Sequence, residues 1–229
     1  MPITIKNVAA AAGVGVGTVS RVLSGSTSVS KQTRQRVEEE IQRLHYVPNS
    51  LAGALSSRRS GIVAIIVPTL QQSIFADTVD GAESELNVRN LQVMVGQTKY
   101  DIGREAELVK AFLRLRPEGL ILTGSNHLPI VHDLLNAADI PVAECWGRAE
   151  TPIGISVGFD NQAAARDIVT HMIDRGRRRI AMLCAPRHFD NRLQQRIDGY
   201  EEAMNLHGLE IDVHDSIEGS STYSGFHQS

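Results

Sequence analysis

The chain has little sulfur, few aromatics and no long apolar run. Of its 229 residues two are cysteine and one is tryptophan, and aromatic residues make up 4%. Cys145 and Cys184 sit inside apolar runs without metal-ligand spacing. They read as buried thiols of a reducing compartment, neither disulfide nor zinc partners. No segment approaches the roughly 18 consecutive apolar residues of a membrane-spanning helix. The first residues lack a basic-then-apolar secretion signal, since Met1–Asn7 runs straight into a short Ala-rich segment. A cytoplasmic location without a membrane partner is therefore expected.

Nucleotide and catalytic motifs are missing as well. Val67-Pro68-Thr69-Leu70 follows the first apolar strand where a dinucleotide-binding fold has Gly-x-Gly-x-x-Gly. There is no phosphate-binding Gly-x-x-x-x-Gly-Lys-Ser/Thr loop, no Gly-x-Ser-x-Gly elbow and no His-Glu-x-x-His. The eight histidines are scattered and read as surface or helix-end residues. No enzyme activity, catalytic residue, metal or cofactor is expected.

What is present is an uneven distribution of charge. Hydrophobic residues at 42% and charged residues at 21% support a packed core, and the formal net charge is −3. The first sixty residues nevertheless carry eight Lys/Arg (Lys6, Arg21, Lys31, Arg34, Arg36, Arg43, Arg58, Arg59) against three Glu (38–40). The remainder is acidic. A basic module that meets a polyanion, attached to an acidic one, explains both halves.

Within the basic module, Thr4 caps a helix expected over about 5–12, stopped by Gly13, and a second helix fits 16–23, ended by Ser24-Gly25. Val8, Ala9, Ala12, Gly13, Val19 and Val22 have the spacing of a helix-turn-helix: small Ala9 lets the helices cross, and Gly13 permits the turn. Ser30 caps a third helix, whose Val37, Ile41 and Leu44 form one apolar stripe. Pro48-Asn49 then opens a short segment with Leu51 and Leu55 one turn apart. Seven residues make a marginal helix, and Gly53 costs it about 1 kcal/mol relative to Ala, so this segment should be ordered only when bound.

Thr4-Ile5-Lys6-Asn7-Val8-Ala9, Gly13-Val14, Thr18-Val19-Ser20-Arg21-Val22-Leu23, Val29-Ser30, Thr33-Arg34 and Tyr46-Val47-Pro48-Asn49 together resemble the start of the lactose-repressor family of bacterial transcription regulators. The resemblance implies a homodimer on double-stranded operator DNA, with the second helix of each copy in a major groove. Val16, Gly17 and Arg21 would face base edges, Arg21 pairing bidentately with guanine. Thr4, Thr18, Ser20, Ser30 and Thr33 would bind phosphates. Asn49, Ala52 and Leu55 would lie on a hinge helix at the minor groove, with Leu55 as an unstacking wedge. Gly15 and Gly17 depart from the family pattern, so base contacts there are either lost or made by the backbone.

From Gly61 apolar runs alternate with helical segments. Strands are expected at 62–67, 91–95, 119–122, 141–144, 155–157 and 180–184, and helices at 74–89, 102–115, 129–138, 160–175 and 190–207. That alternation predicts parallel βαβ units in a doubly wound sheet, apolar on both faces. Arg177-Arg178-Arg179 follows the helix stop Gly176 and reads as a solvated turn.

The family resemblance extends here, to a periplasmic-binding-protein-like core of two subdomains around an effector cleft. Val157-Gly158-Phe159-Asp160-Asn161 resembles the crossover into the second subdomain, and Arg196-Ile197-Asp198-Gly199-Tyr200 resembles the family's Arg-x-x-Gly-Tyr, whose Arg grips the ligand. The implied effector residues are Ser73, Phe75, Gln97, Ser125, Trp146, Asp160 and Arg196. Val67–Leu70, Gly119–Thr123 and Ile140–Glu144 with Trp146 are similar to the gluconate-operon repressors of this family, although Gly147 stands where those carry an acid. A sugar acid would place its carboxylate on Arg196, its hydroxyls on Ser125 and Gln97, and its C–H face on Trp146 or Phe75.

The expected organisation is a helix-turn-helix domain at 1–46, hinge helix and linker at 47–60, first core subdomain at 61–158 and partial second subdomain at 159–229. The polar tail Ser220–Ser229 and the small number of βα units lead to the expectation of a C-terminally truncated chain with an incomplete second subdomain. The expected function is a repressor of carbohydrate catabolism controlled by a small sugar acid such as gluconate. The alternatives are a neutral sugar or co-repressor as effector, or a fragment acting only as a solute-binding or non-functional module.

Overall fold

A computed structural model describes residues 3–47, 60–185 and 191–215. The chain divides into two compact units, residues 1–60 and 61–229.

The described residues of the first unit form three helices: α1 (Ile5–Ala11), α2 (Val16–Leu23) and α3 (Lys31–Arg43). Gly13, at φ 63°, turns the chain between α1 and α2, and Val14 N–H closes the turn on Ala9 O at 3.0 Å. Val8, Ala9, Ala12, Val19, Val22 and Val37 form the core, and Ile5, Ile41, Leu44 and Tyr46 close it at the rim. No one of these helices buries enough surface to stand alone; together they share one core. Half-buried Arg34 adds a polar lock, donating from α3 to the carbonyls of Ser26 and Val22 and so fixing the α2–α3 connection.

The second unit holds a five-stranded parallel sheet in the order β2-β1-β3-β4-β5: β1 (Ile62–Val67), β2 (Gln92–Gln97), β3 (Gly119–Thr123), β4 (Val142–Cys145) and β5 (Ile155–Val157). The register pairs Val63 with Val93 on one side and with Gly119 on the other. Helices α4 (Ser73–Asn87), α5 (Ile102–Leu113) and α6 (Pro129–Ala138) cover it. Ala64 and Ile66 of β1 pack in a cluster with Val109, Phe112 and Leu135 of α5 and α6, whereas Ile65 and Val67 pack against Phe75 and Val79 of α4. Burial on both faces is why β1 is apolar at every position.

Beyond β5 come α7 (Asn161–Asp174), β6 (Met182–Cys184), α8 (Asn191–Leu206) and β7 (Val213–Asp215), with β6 and β7 paired in parallel. Val169, Ile173, Ile180, Tyr200, Ala203 and Met204 form their core. The helices cross closely at Gly199, where a Cβ would collide with the Gln162 carbonyl oxygen. Next to it, buried Tyr200 donates its hydroxyl to Ile180 O at 2.8 Å and accepts Asp212 N–H at 2.9 Å. The Gly-Tyr of the motif therefore has a packing role: one residue admits the neighbouring helix, the other ties the two strand starts together.

The expected class, a helical DNA-reader type of module followed by a parallel α/β core, is the class observed. Differences are local. β6 begins at Met182 and not at Ile180, whose carbonyl is taken by Tyr200. β7 has no counterpart among the expected strands, because Val213-His214-Asp215 holds a single apolar residue and so no apolar run marks it. Gly176, at φ 86°, ends the α7 region, Arg177 N–H bonds Met172 O at 3.0 Å, and Arg177–Arg179 are exposed. The reading of every histidine as a surface or helix-end residue is incorrect for His127. Its side chain is wholly buried between Glu105 and Glu144, because carboxylates from two other elements converge on it.

Candidate functional site

Two regions bear the predicted residues. In the helical unit, Val19 and Val22 of α2 face the core, which turns Val16, Gly17, Ser20 and Arg21 outward to form one exposed face. Arg21 makes no ion pair among the described residues, so its guanidinium is presented to solvent. The first amides of α2 have no partner within the helix, as at any helix start. Thr18 is half-buried. Thr4 donates its hydroxyl to Asn7 Oδ1 at 2.7 Å and its N–H to the same atom at 2.9 Å. Ser30 donates to Thr33 Oγ1 at 2.9 Å and accepts Thr33 N–H at 3.2 Å. These three residues thus cap helices, with one helix start at Thr4 and another at the Ser30–Thr33 pair. Asn49, Ala52 and Leu55 lie outside the described residues, as does most of the linker 47–60.

In the α/β unit the strand order reverses direction between β1 and β3, so a crevice opens at the C-terminal ends of those strands. The residues after β1, β3 and β4 surround it. Trp146 follows β4 in the left-handed region at φ 69°, a conformation that costs a bulky L-residue about 1–2 kcal/mol. Four contacts hold it there. Its Nε1 donates to Thr78 Oγ1 at 3.0 Å, its N–H to Val157 O at 3.1 Å, its carbonyl accepts from Asn161 Nδ2 at 3.1 Å, and its ring meets Phe75 edge-on at 6.2 Å. Phe159 meets the indole from another side at 6.4 Å.

Asn161 joins this turn to α8. Its Oδ1 accepts from Arg196 Nε at 2.9 Å, and both residues also line a cavity of about 460 Å³ whose other walls are mainly apolar side chains of α7 and β6, Ile168, Met172 and Met182 among them; Trp146, Phe75 and Arg192 do not line it. One turn earlier on α8, buried Arg192 stands over the Phe75 ring with its guanidinium carbon 5.5 Å from the centroid. Two cations, three aromatic rings and one amide therefore converge from α4, the β4 turn, α7 and α8. Such a set suits an anionic ligand with a C–H face.

The remaining predicted effector residues lie in other surroundings. Ser125 follows β3, and a Cβ placed on Gly147 would stand 3.3 Å from its hydroxyl. Gln97 ends β2, where its Oε1 accepts from Leu70 N–H and from Lys99 Nζ, each at 3.0 Å. Ser73 is the exposed first residue of α4. Asp160 caps α7 by accepting Ala163 N–H at 2.9 Å. Asn161, Phe159 and Arg192 are not among the effector residues expected from the sequence. Asp160 carries the recognisable cap signal, while its neighbour Asn161, the first helical residue, points inward and makes the cross-link.

Among the described residues no helix is long and apolar enough to cross a membrane, and no cluster of His, Cys, Asp and Glu is arranged to hold a metal ion.

Comparison with known proteins matches both units of the chain. Residues 4–49 match the model of bacterial regulatory proteins of the lacI family, and residues 60–228 match that of the periplasmic binding proteins and sugar binding domain of the LacI family. The transcriptional regulator IdnR of Escherichia coli K12 is 34% identical over 207 residues, covering 90% of this chain and 62% of that protein. The regulator GntR of the same strain is 34% identical over 220 residues, covering 96% of this chain and 66% of that protein. A crystal structure of a LacI family transcriptional regulator from Silicibacter pomeroyi superposes with a TM-score of 0.87 at 35% identity, over 93% of this chain and 65% of that one. The chain thus spans a little under two thirds of the length of these relatives. By the match of both of its units, this chain belongs to the lacI family of bacterial regulatory proteins.

Proposed function

We propose that the chain is a sequence-specific, DNA-binding transcriptional repressor of carbohydrate catabolism whose operator affinity is set by a small sugar acid such as gluconate. The observation that carries this reading is the coexistence, in one chain, of an exposed Val16-Gly17-Ser20-Arg21 helix face and a crevice at which Asn161 links Arg196 to the aromatic Trp146 turn. The relatives named as regulators GntR and IdnR support the regulator class.

In this reading the protein works as a cytoplasmic homodimer. Residues 1–46 read the operator through Arg21 and its neighbours, with Thr4, Thr18, Ser20, Ser30 and Thr33 at phosphates. Residues 47–60, including Asn49, Ala52 and Leu55, form the hinge. Residues 61–158 and 159–229 form the effector core, with Ser73, Phe75, Gln97, Ser125, Trp146, Asp160 and Arg196 around the ligand. A carboxylate on Arg196 stabilises the arrangement of α8 against the Trp146 turn. Ligand and operator are coupled because each favours a different arrangement of the core. Coupling of about 1–3 kcal/mol corresponds to roughly 5–150-fold relief of operator binding.

The test is selection of bound duplexes from a random pool with and without gluconate. Enrichment of a two-fold-symmetric site that gluconate disperses is the expected result. A site dispersed only by a neutral sugar would overturn the sugar-acid assignment, and no enrichment of any sequence would overturn the repressor reading.

A further inference from the structure

Glu105 of α5, His127 of the β3–α6 connection and Glu144 of β4 meet inside the sheet unit, with side-chain exposures of 8%, 0% and 2%. His127 Nδ1 lies 2.7 Å from Glu105 Oε1. Its Nε2 lies 3.4 Å from Glu144 Oε1, an ion-pair distance without hydrogen-bond geometry. The second oxygen of Glu144 accepts Ile153 N–H at 2.7 Å. The other titratable group facing the imidazole is His132 of α6, whose ring meets it edge-on at 6.0 Å.

A proton on the imidazole offsets part of the charge of the two buried carboxylates, and an uncompensated buried charge is costly. Burial pulls the His127 pKa down, but the hydrogen bond and charge of Glu105, then the charge of Glu144, outweigh it and leave the group above its ordinary 6.5.

The cluster sits beneath the crevice. His127 is two residues beyond Ser125, and Glu144 is two residues before Trp146 in its left-handed conformation. Ser125 and Trp146 are therefore each two residues along the chain from a member of the clamp.

We propose that imidazolium His127, held between Glu105 and Glu144, is a positioning residue that ties the β3–α6 connection to α5 and to the end of β4, so that the shape of the crevice these segments border depends on pH. Loss of the proton removes the attraction to Glu144 and leaves two carboxylates facing a neutral ring. The end of β4, which carries Trp146 two residues further on, then loses its charge attraction to the β3–α6 connection. The consequence for a ligand rests on the sugar-acid reading of the crevice; the response of the turn to pH does not.

Trp146 is the only tryptophan of the chain, so its emission reports the β4 turn. Its neighbour Cys145 is a thiol that burial pushes upward, away from the imidazole range. The experiment follows emission and iodide quenching of the full chain across about pH 5.5–9.5, which covers the ordinary imidazole range and the region above it into which His127 is raised. The expected result is a single step with its midpoint above the ordinary histidine value, absent in His127→Gln and moved to lower pH in Glu144→Gln. A flat profile, or a step that persists in His127→Gln, overturns the clamp. Should His127→Gln fail to fold, an unmoved midpoint in Glu144→Gln overturns it as well. Added gluconate forms a separate arm: a pH step without any gluconate response supports the clamp and rejects the sugar-acid reading.

Discussion

Asn161 donates from its side-chain amide to the main-chain carbonyl of Trp146, 3.1 Å away, while its amide oxygen accepts from Arg196. One buried side chain therefore couples the aromatic turn after β4 to the cation on α8. Asn161→Ala removes both bonds and leaves the Trp146 carbonyl and the Arg196 Nε without that partner. A carbonyl left without its hydrogen bond costs about 1–3 kcal/mol. The variant should melt at lower temperature and bind gluconate more weakly. Asn161→Asp keeps an acceptor for Arg196 but loses the donor to Trp146. It should retain Arg196 geometry while shifting Trp146 emission; identical emission in the two proteins would count against the link.

Arg21 stands on the outward face of α2 while Val19 and Val22 fill the core behind it. Arg21→Ala should therefore leave the melting temperature of the helical unit unchanged. It should lower affinity for the selected operator by about 1–3 kcal/mol and flatten preference at one base pair, as loss of a bidentate guanine contact does. Ser20→Ala should weaken all sequences alike, since phosphate contacts position without specifying. Titration of the two variants against the operator and its single-base mutants separates these effects. Equal loss on all sequences for Arg21→Ala would assign it to phosphate.

Gly199 has no room for a side chain, because the Gln162 carbonyl oxygen occupies the place a Cβ would take. Gly199→Ala must push α8 from α7 or distort one of them. Overpacking of this sort costs about 1–3 kcal/mol, more than the helix propensity gained, which is about 1 kcal/mol. Thermal denaturation should show net destabilisation. A variant as stable as the parent would mean that the two helices do not cross here.

How much of this is legible in the sequence depends on how local each signal is. Ile62–Val67 is apolar throughout because both of its faces are covered, and six such residues between a Gly and a Pro mark a buried strand without further information. Val19, Val22 and Gly13 likewise announce a helix-turn-helix, since the helical period and the positive-φ turn are written within a dozen residues. The clamp is the opposite case. Glu105, His127 and Glu144 are spaced by more than fifteen residues and come from three elements, so nothing near His127 distinguishes it from a solvated histidine. Asn161 is hidden for a different reason: Asp160, beside it, accounts for the start of α7 by itself. Arg34 falls off the apolar stripe of α3, as the helical period requires, but its bonds to the Ser26 and Val22 carbonyls depend on how α2 returns.

The clamp also predicts how stability varies with pH. The His127 pKa is raised in the folded chain above the ordinary 6.5 that an unfolded chain would show. Below about pH 6.5 the imidazole is protonated in both states, and the full stabilising contribution is present. As pH rises past that value the unfolded chain releases its proton first, so the contribution diminishes, and it is gone once pH passes the folded value. The sign follows from linkage: in that window the native state binds more protons, and raising pH favours unfolding. Other groups titrate too, so the quantity to follow is the melting-temperature difference between the parent and His127→Gln. That difference should be largest near pH 6 and shrink toward pH 9. A difference that stays constant or grows would mean that His127 is neutral in the folded core, and the two carboxylates would then need another source of compensation.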